Sequence, residues 1–289
     1  MELMILSKPA QVQAQVLAWK RQGLTVGLVP TMGFLHEGHA SLIRRAASEC
    51  DRVVVSVFVN PTQFGPNEDL ESYPRDIEHD KALIEECGGN LVFAPQPADM
   101  YGAGSRTWVT VEGLTKELCG RSRPIHFRGV ATVVCKLMNI AQPDRAYFGQ
   151  KDAQQLAVIR QMVSDLNMPV QVVGCPIVRE ADGLAKSSRN TYLNEQERAA
   201  ALVLSRSLAE GRKLLEAGTA DADRVLACIE EVLKSEPLAR IDYVQAVTAD
   251  TIEPVHKVAG TVLFAIAVYI GKTRLIDNFY WTAEESHAN

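Results

Sequence analysis

The sequence lacks any hydrophobic run long enough to cross a membrane. Its longest apolar stretch, Val262–Ile270, has the length of a β-strand rather than that of a membrane helix. The first residues, MELMILSKPAQVQ, lack the basic region and the long apolar segment of a secretory signal peptide. We therefore expect a cytoplasmic protein without membrane segments.

An excess of positive charge is also missing. The formal net charge is -5, which gives no electrostatic reason to expect binding to nucleic acid or to an anionic membrane. A small anionic substrate is compatible with this charge, because local basic residues govern its binding. The length of 289 residues, with 47% hydrophobic and 22% charged residues, is typical of a globular enzyme with one large or two moderate domains.

Closely spaced cysteine pairs are absent. The six cysteines are scattered along the chain and form no CxxC motif. Four of them lie among apolar neighbours, so we expect buried free thiols in a reducing compartment. The sequence also contains no internal repeat and no low-complexity tract.

Three common nucleotide and metal motifs are missing from the most distinctive stretch, VGLVPTMGFLHEGHASLIRRA at residues 26–46. It contains neither GxxxxGK[ST] nor GxGxxG, and its two histidines are closer together than the HExxH zinc motif requires, with no third ligand nearby. The stretch instead predicts a buried strand at Val26–Val29, which ends at Pro30, then a polar turn and a helix that opens near Glu37.

The turn between that strand and that helix combines features that suit an anion. Gly33 and Gly38 leave room for close approach to the backbone, and a helix N-terminus offers unpaired N–H groups and a partial positive charge. His36 and His39 flank Gly38, so we hypothesise that both imidazoles bind a phosphate and stabilise it as its charge changes. A purely structural role for the two histidines and a zinc site are the alternatives.

Strand and helix signals alternate over the first two thirds of the chain, a pattern typical of a parallel sheet with right-handed crossovers. The run RVVVSVFV at Arg52–Val59 is typical of a strand that is covered on both faces. Further strands are predicted at Leu91–Ala94, Thr107–Val111, Arg145–Phe148 and Val170–Gly174.

The pattern changes near Ile177, where a polar, basic, glycine-bearing segment begins. A long helix through about Ala217, a second helix and three strands that predict an antiparallel sheet follow. We therefore predict two domains, residues 1–177 and 178–289. Within the first domain, the basic segment Leu118–Gly129 predicts a surface loop that is either solvated or in contact with an anion.

Five motifs in order carry a resemblance to a known family. They are PTMGFLHEGH at 30–39, VNPTQFGPNEDLESYPR at 59–75, HFRGVATVV at 126–134, FGQKDAQQ at 148–155 and READGLAKSSRN at 179–190. One such motif alone is a weak signal. Together, in this order and at this spacing, they closely resemble the pantoate–β-alanine ligase family over most of residues 26–193.

The resemblance implies an α/β fold, with a Rossmann-like parallel-sheet domain followed by a smaller α/β domain that has an antiparallel sheet and helps to cover the active site. It also implies ATP as a substrate, Mg²⁺ as a cofactor and a homodimer as the assembly. In the family's reaction, (R)-pantoate and ATP form pantoyl adenylate and pyrophosphate. β-Alanine then displaces AMP to give pantothenate, the precursor of coenzyme A.

The resemblance also assigns residues to catalysis and to ATP. His39 matches the position of the proton donor. The catalytic residues are His36, His39, Lys151, Ser187, Ser188 and Arg189. The ATP-binding residues are Met32, Gly33, Phe34, Leu35, His36, Glu37, Gly38, His39, Gly149, Gln150, Lys151, Asp152, Val178, Lys186, Ser187, Ser188 and Arg189.

Substrate and metal ligands complete the implied site. Gln63 and Gln155 match the pantoate-binding amides, which can both donate and accept hydrogen bonds, and Asn60 is close enough in sequence to assist. Gln63 is also a candidate contact for β-alanine. Asp152 is the candidate Mg²⁺ ligand, because this cation prefers oxygen ligands. Capping of the following helix is the alternative role of Asp152.

Two residues depart from the family pattern. Gln150 stands where the family often has Glu, and Lys186 stands where Leu or Met is common. Two other functions also fit parts of the sequence. A nucleotidyltransferase of the same superfamily would retain the nucleotide on its product, and a regulatory module would bind a nucleotide without catalysis.

Overall fold

The computed structural model of the chain describes residues 3–66 and 68–283. These residues form two compact units. The first contains the residues up to 112 together with 123–178, and the second contains 113–122 together with the residues from 179 onwards. The sequence prediction set one boundary between residues 177 and 178 and assigned 113–122 to the first domain. The division into two domains at this boundary, with the second domain covering the active site, stays a prediction.

The first unit is built on a parallel sheet. Within its described residues the strands follow the spatial order β1-β4-β3-β2-β5-β6, and each adjacent pair is parallel. The strands are β1 (Met4–Leu6), β2 (Val26–Thr31), β3 (Arg52–Val57), β4 (Leu91–Phe93), β5 (Arg145–Gly149) and β6 (Gln171–Cys175). The predicted parallel sheet is confirmed, and β1 is an addition to the predicted strands.

Helices cover this sheet and recur in the second unit. Along the chain they are α1 (Pro9–Arg21), α2 (Glu37–Glu49), α3 (Ile77–Glu86), α4 (Pro97–Met100), α5 (Leu118–Ser122), α6 (His126–Ala141), α7 (Ala153–Asp165), α8 (Glu195–Ala200), α9 (Leu202–Glu216) and α10 (Ala222–Lys234). Val53, Val54 and Val55 of β3 are at most 1% exposed, as expected of a strand buried on both faces. In the described part of the chain, no helix is long and apolar enough to span a membrane.

The direction in which strands are added reverses at β2. The chain proceeds from β2 outwards through β3 and β4 on one side, and it returns to the other side of β2 to form β5 and β6. In open α/β sheets, ligands bind at the carboxyl ends of the strands beside such a reversal. The turns that follow β2 and β5 are therefore where the fold favours a site.

The prediction that strand β2 ends before Pro30 is wrong, because the strand continues to Thr31. The N–H and C=O groups of Val26 point towards β5, because Val26 N–H donates to the carboxylate of Asp144, just before β5, and Val26 O accepts Asp144 N–H. Backbone N–H and C=O groups of successive residues point to opposite neighbouring strands, so the backbone nitrogen of Pro30, like that of Val26, faces β5. Pairing with β5 reaches only to Leu28, so the missing N–H of proline costs no ladder hydrogen bond.

Three other local predictions are wrong. Thr107–Val111 is not a strand, and its Val109 N–H donates to the Thr132 hydroxyl of α6 at 3.0 Å. The segment Leu118–Gly129 is not a loop, because α5 and the first turn of α6 occupy most of it. The single long helix expected up to Ala217 is divided into α8 and α9.

The second unit has an antiparallel sheet, as predicted. Its strands are β7 (Ala239–Thr248), β8 (Thr261–Ile270) and β9 (Thr273–Thr282), in that spatial order. Val225 and Ile229 of α10 share one apolar core with Phe264 and Phe279, whose rings stack at 5.1 Å. Residues 113–122 join this unit through β7, since Leu118 N–H donates to the side chain of Gln245 at 2.9 Å.

All six cysteines lie within the described residues, and all are free thiols. Cys87, Cys119 and Cys175 are buried, and the other three are half-buried. The prediction of free thiols is confirmed, and a reducing compartment stays a prediction.

Candidate active site

The turn that follows β2 has a constrained backbone. Gly33 and Phe34 both adopt left-handed conformations, with φ of 84° and 50°. A Cβ atom at Gly33 would lie 3.0 Å from both Asp80 Oδ2 and Val57 Cγ1, so the space also favours glycine. The hydroxyl of Thr31 fixes the start of the turn, because it accepts from Gly33 N–H at 3.2 Å.

A buried carboxylate binds the same turn. Asp80 of α3 is 1% exposed, and its two oxygens accept the backbone N–H groups of Phe34 at 2.9 Å and of Leu35 at 2.7 Å. Burial raises the pKa of Asp80, although the two N–H donors oppose that shift. The adjacent residue His79 lies with ring Nε2 3.1 Å from Leu35 O.

The two histidines of the turn cap helix α2. Gly38 N–H donates to Nδ1 of His36 at 3.1 Å, and His36 N–H donates to Nδ1 of His39 at 3.3 Å. This is a capping box made from imidazoles. His36 and His39 therefore do have the structural role that was the alternative to phosphate binding. It also orients the two rings, whose centroids lie 4.1 Å apart.

These hydrogen bonds decide which ring nitrogen carries the proton. A backbone N–H can only donate, so Nδ1 of each neutral ring accepts and Nε2 bears the hydrogen. Burial, the neighbouring His36 and the ammonium of Lys151 lower the pKa of His39 well below its usual value. Near neutral pH, His39 is therefore an uncharged imidazole with an Nε2–H donor.

The turn that follows β5 lies beside the histidine turn, because β5 pairs with β2. Residues 150–152 form one 3₁₀ turn directly after the strand. The ammonium of Lys151 is close enough to act on the pKa of His39, so two groups predicted to contact phosphate lie near each other. Asp152 makes no capping hydrogen bond to α7 and is exposed. The capping alternative for Asp152 is therefore wrong.

Polar side chains after β3 form a buried network. Asn60 Nδ2 donates to Gln63 Oε1 at 3.1 Å and to Gly129 O at 3.2 Å, and Gln63 Nε2 lies 3.1 Å from Met32 Sδ. Tyr101 Oη donates to Asn60 Oδ1 at 2.9 Å. Asn60 and Gln63 are 1% and 8% exposed. The network joins a predicted pantoate-binding amide to the histidine turn.

The start of α6 holds the backbone of Gln63. His126 Nδ1 lies 3.0 Å from Gln63 O, and Arg123 Nη1 lies 3.2 Å from His126 Nε2. Because a guanidinium can only donate, Nε2 of His126 accepts and Nδ1–H donates to the carbonyl. Burial and Arg123 lower the pKa of His126 to about 4. Arg123 also forms a bidentate ion pair with Glu68.

The remaining predicted residues of the first unit share one location in the fold. Gln155 is half-buried in the first turn of α7, and Val178 follows β6. The carboxyl ends of β2, β3, β5 and β6 are thus followed by the predicted site residues of this unit, which are Met32–His39, Asn60, Gln63, Gly149–Asp152, Gln155 and Val178.

In the second unit, the motif around Lys186 lies between a β-bridge and a 3₁₀ turn. Ser187 precedes the 3₁₀ turn Ser188–Tyr192 and its hydroxyl accepts from Arg189 N–H at 3.2 Å. The Lys186 ammonium lies 3.8 Å from Glu180, which also pairs with Arg198 at 2.8 Å. Ser188 is buried, whereas Lys186, Ser187 and Arg189 are half-buried. The motif is thus an ordered segment with its own ion-pair network.

The described residues contain no group of three or more His, Cys, Asp or Glu side chains that could hold a metal ion. The zinc alternative for the histidine turn therefore has no support among them. Mg²⁺ requires less from the protein, since it is commonly held by one or two carboxylates together with water and substrate phosphates. The exposed carboxylate of Asp152, next to Lys151, fits that limited role.

Sequence reasoning missed several supporting residues. Asp80 lies in an ordinary polar helix pattern, and Tyr101 lies in an irregular segment, so neither carries a local signal. His126 and Arg123 were noticed only as part of a basic segment. Their partners Gln63 and Glu68 are some sixty residues away in sequence, and such contacts become visible only in the folded chain.

Comparison with known proteins gives one family. The family model described as pantoate-beta-alanine ligase matches residues 4–280. A protein named pantothenate synthetase from Clostridium novyi (strain NT) is 58% identical over 280 residues, which are 97% of this chain and 99% of the relative. Its counterpart in Heliobacterium modesticaldum is 61% identical over 268 residues, which are 91% of this chain and 95% of the relative.

Two crystal structures are also similar. Pantothenate synthetase from Thermus thermophilus superimposes with a TM-score of 0.91 at 47% identity, over 96% of this chain and 99% of that one. Pantoate-beta-alanine ligase from Francisella tularensis, complexed with beta-gamma ATP and beta-alanine, superimposes with a TM-score of 0.78 at 33% identity, over 96% and 97% of the two chains. The family match, the long high-identity alignments and the shared α/β fold agree with the motifs, and the chain belongs to the pantoate–β-alanine ligase family.

Proposed function

We propose that the chain is an ATP-dependent ligase that condenses (R)-pantoate with β-alanine and produces pantothenate, AMP and pyrophosphate. The observation that carries this proposal is the pair of imidazoles that cap the N-terminus of α2, beside the turn that contains Lys151, at the reversal of the strand order. Relatives with the names above support the same reaction, and the Francisella tularensis relative was crystallised with beta-gamma ATP and beta-alanine.

The chemistry explains why such donors are useful. A carboxylate oxygen of pantoate attacks the α-phosphorus of ATP, and the bond from that phosphorus to the β-bridging oxygen breaks. Pyrophosphate leaves with the bonding electrons, so negative charge develops on its oxygens. Fixed donors and cations that face this charge lower the barrier without a covalent nucleophile.

The two histidines supply fixed donors in this proposal. Because the pKa of His39 is lowered, its Nε2–H stabilises the departing oxygen mainly as a hydrogen-bond donor rather than as an imidazolium acid. The backbone N–H groups and partial positive charge at the N-terminus of α2 act in the same direction. Lys151 and, in the second unit, Lys186, Ser187, Ser188 and Arg189 bind phosphate oxygens.

The second step forms an amide. The amine of β-alanine attacks the acyl carbon of pantoyl adenylate, the bond from that carbon to the AMP oxygen breaks, and the amine releases a proton to solvent. Gln63 and Gln155, assisted by Asn60, bind pantoate through its hydroxyl and carboxylate groups, and Gln63 also contacts β-alanine. The burial and fixed hydrogen bonds of Asn60 and Gln63 suit orientation of a substrate.

The turn residues Met32–His39 and Gly149–Asp152, together with Val178, form the ATP-binding part of the proposal. Mg²⁺ is included with Asp152 as its protein ligand, where the ion would neutralise charge on the phosphates. The free thiols are compatible with a cytoplasmic enzyme, and we include a homodimer as the assembly, as the resemblance implies.

One assay separates this function from the two alternatives. We expect pantoate-dependent exchange of labelled pyrophosphate into ATP, and release of labelled AMP when β-alanine is added. Retention of the α-phosphate on the product would indicate a nucleotidyltransferase. ATP binding without any exchange would indicate a regulatory module.

A further inference from the structure

We propose that Asp80 is a positioning residue for the adenylation step: its carboxylate fixes the backbone of residues 34–35 and thereby aligns the imidazoles of His36 and His39. The inference rests on the proposed function. Asp80 lies on α3, outside the five motifs that carry the family resemblance.

The carboxylate is matched to the turn at both oxygens. Oδ2 accepts Phe34 N–H at 2.9 Å and Oδ1 accepts Leu35 N–H at 2.7 Å, and the residue is 1% exposed. Phe34 has a positive φ, which non-glycine residues rarely adopt, so surrounding contacts must maintain this conformation. The two charge-assisted hydrogen bonds that the buried carboxylate of Asp80 accepts supply such contacts.

The contacts of α3 reach the histidines through two peptide planes. Asp80 binds the N–H of Leu35, and His79 Nε2 lies 3.1 Å from the carbonyl oxygen of Leu35. That carbonyl and His36 N–H belong to one peptide unit. Because this unit is rigid and planar, a contact that holds the carbonyl also holds the N–H. His36 N–H in turn donates to His39 Nδ1. The orientation of the His39 ring is therefore determined by a plane that α3 holds.

A purely structural alternative is that Asp80 only fastens α3 to the end of β2. Both roles predict a loss of stability when Asp80 is changed. Only the positioning role predicts a change in the His39 ring itself and in adenylation. A displacement of about 1 Å in a catalytic group can reduce a rate by about 100-fold, so the two roles are separable by measurement.

The test uses Asp80→Asn in the full-length protein. The amide keeps the shape of the carboxylate but can accept only one of the two N–H groups and opposes the other with its own NH₂. Glu78→Gln is the matched control, since it makes the same acid-to-amide change on the same helix, at an exposed carboxylate that pairs with Lys81 rather than with the turn.

We expect Asp80→Asn to reduce the rate of pantoate-dependent pyrophosphate exchange by about 10- to 100-fold, with the Kd for pantoate changed less than about twofold. In ¹⁵N-labelled protein, the ring of His39 should lose its strong preference for the Nε2–H tautomer. Glu78→Gln should leave both readouts as in the unsubstituted protein.

The proposal is overturned if Asp80→Asn keeps the exchange rate and the His39 tautomer whatever its stability. If the variant does not fold, hydrogen exchange of the Phe34 and Leu35 amides is measured in the unsubstituted protein instead. Exchange as fast as that of exposed loops would refute the contact with Asp80 and the proposal with it. Exchange as slow as that of the core of α3 would support the contact. An unsubstituted protein without pyrophosphate exchange would refute the proposed function, while the tautomer readout would still decide the role of Asp80.

Discussion

At the scale of single residues, a neutral imidazole explains why histidines occupy positions usually held by serine, aspartate or glutamate. Its Nδ1 accepts a backbone N–H as a capping group does, while Nε2–H remains a donor on the other side of the ring. A carboxylate would cap the helix but repel phosphate. One side chain therefore performs a structural and a chemical task at once.

Substitution of His39 tests the chemical task. We expect His39→Ala to reduce the single-turnover rate of adenylate formation by about two to four orders of magnitude, because a fixed donor to the leaving group is lost. His256→Ala is the control, since that ring is exposed and pairs with Asp223 in the second unit. A near-normal rate for His39→Ala would remove this residue from the mechanism.

Lys186 departs from the family pattern, and its effect can be measured. Its ammonium lies 3.8 Å from Glu180, so part of its charge is already compensated. We expect Lys186→Met to raise the KM for ATP modestly, by less than about tenfold, because the ammonium is only half-buried and partly exposed charge interactions are weak. Lys213→Met is the control, because it removes a more exposed lysine that pairs with Glu210 in the second unit. An unchanged KM at low salt would refute a phosphate contact for Lys186.

The half-buried His126 predicts a dependence of stability on pH. Its folded pKa of about 4 lies below the usual 6.5, so the unfolded chain binds more protons between these values and stability falls on acidification. We expect a loss of about 2 kcal/mol from this residue between pH about 7.5 and about 5.

His126→Asn retains a donor for Gln63 O but does not titrate. Its free energy of unfolding in urea should therefore decrease less over this range than that of the unsubstituted protein. His39 contributes with the same sign in both proteins and cancels from the difference. Equal pH dependence in the two proteins would contradict a lowered pKa of His126.

At the scale of elements, α6 approaches the turn after β3 at backbone distance. A Cβ atom at Gly129 would lie 2.5 Å from Thr62 O and 2.7 Å from the Cα of Gln63. Because the obstacle is backbone rather than a flexible side chain, either the helix or the turn must move. This packing explains why a glycine follows Phe127-Arg128 in the motif.

Gly129→Ala should therefore raise the KM for pantoate by about tenfold or more while the KM for ATP changes little, and it should cost about 1–3 kcal/mol of stability, as is typical of overpacking. Gly104→Ala is the control, because nothing lies within 4 Å of a Cβ atom there.

Gln63→Ala should give the same selective loss of pantoate affinity. Equal effects on both substrates in calorimetry would contradict the assignment of Gln63.

At the scale of the whole chain, the proposed ligand contacts of the first unit gather at one edge of its sheet. Binding of a non-hydrolysable ATP analogue should slow hydrogen exchange in residues 32–39 and 149–152. The opposite ends of the same strands, near Thr25, Asp51 and Asp144, should be unaffected. Protection at that opposite edge instead would contradict the proposed site.

Much of this organisation was predictable from local patterns. Buried parallel strands are continuous apolar runs in the sequence, as in β3. The apolar run within β8 has the length of a strand, which indicated a strand of the antiparallel sheet. The motif order indicated the family and the residues at the carboxyl ends of β2, β3 and β5. The failures have local causes too: Pro30 is tolerated because pairing with β5 has already stopped, and Thr107–Val111 bonds to a helix instead of a strand.

The sequence by itself determined the α/β class and the histidine turn, because these depend on periodicity and on neighbours a few positions apart. The other residues proposed to meet phosphate came from the resemblance of its motifs to the family. Only the tertiary structure decided which nitrogen of each imidazole is a donor, that Asp80 binds the turn and that His126 supports Gln63. The physical reason is that burial and hydrogen-bond geometry set protonation and orientation, and both exist only in the folded chain. The partners of Asp80 and His126 also lie 45 and 63 residues away along the chain.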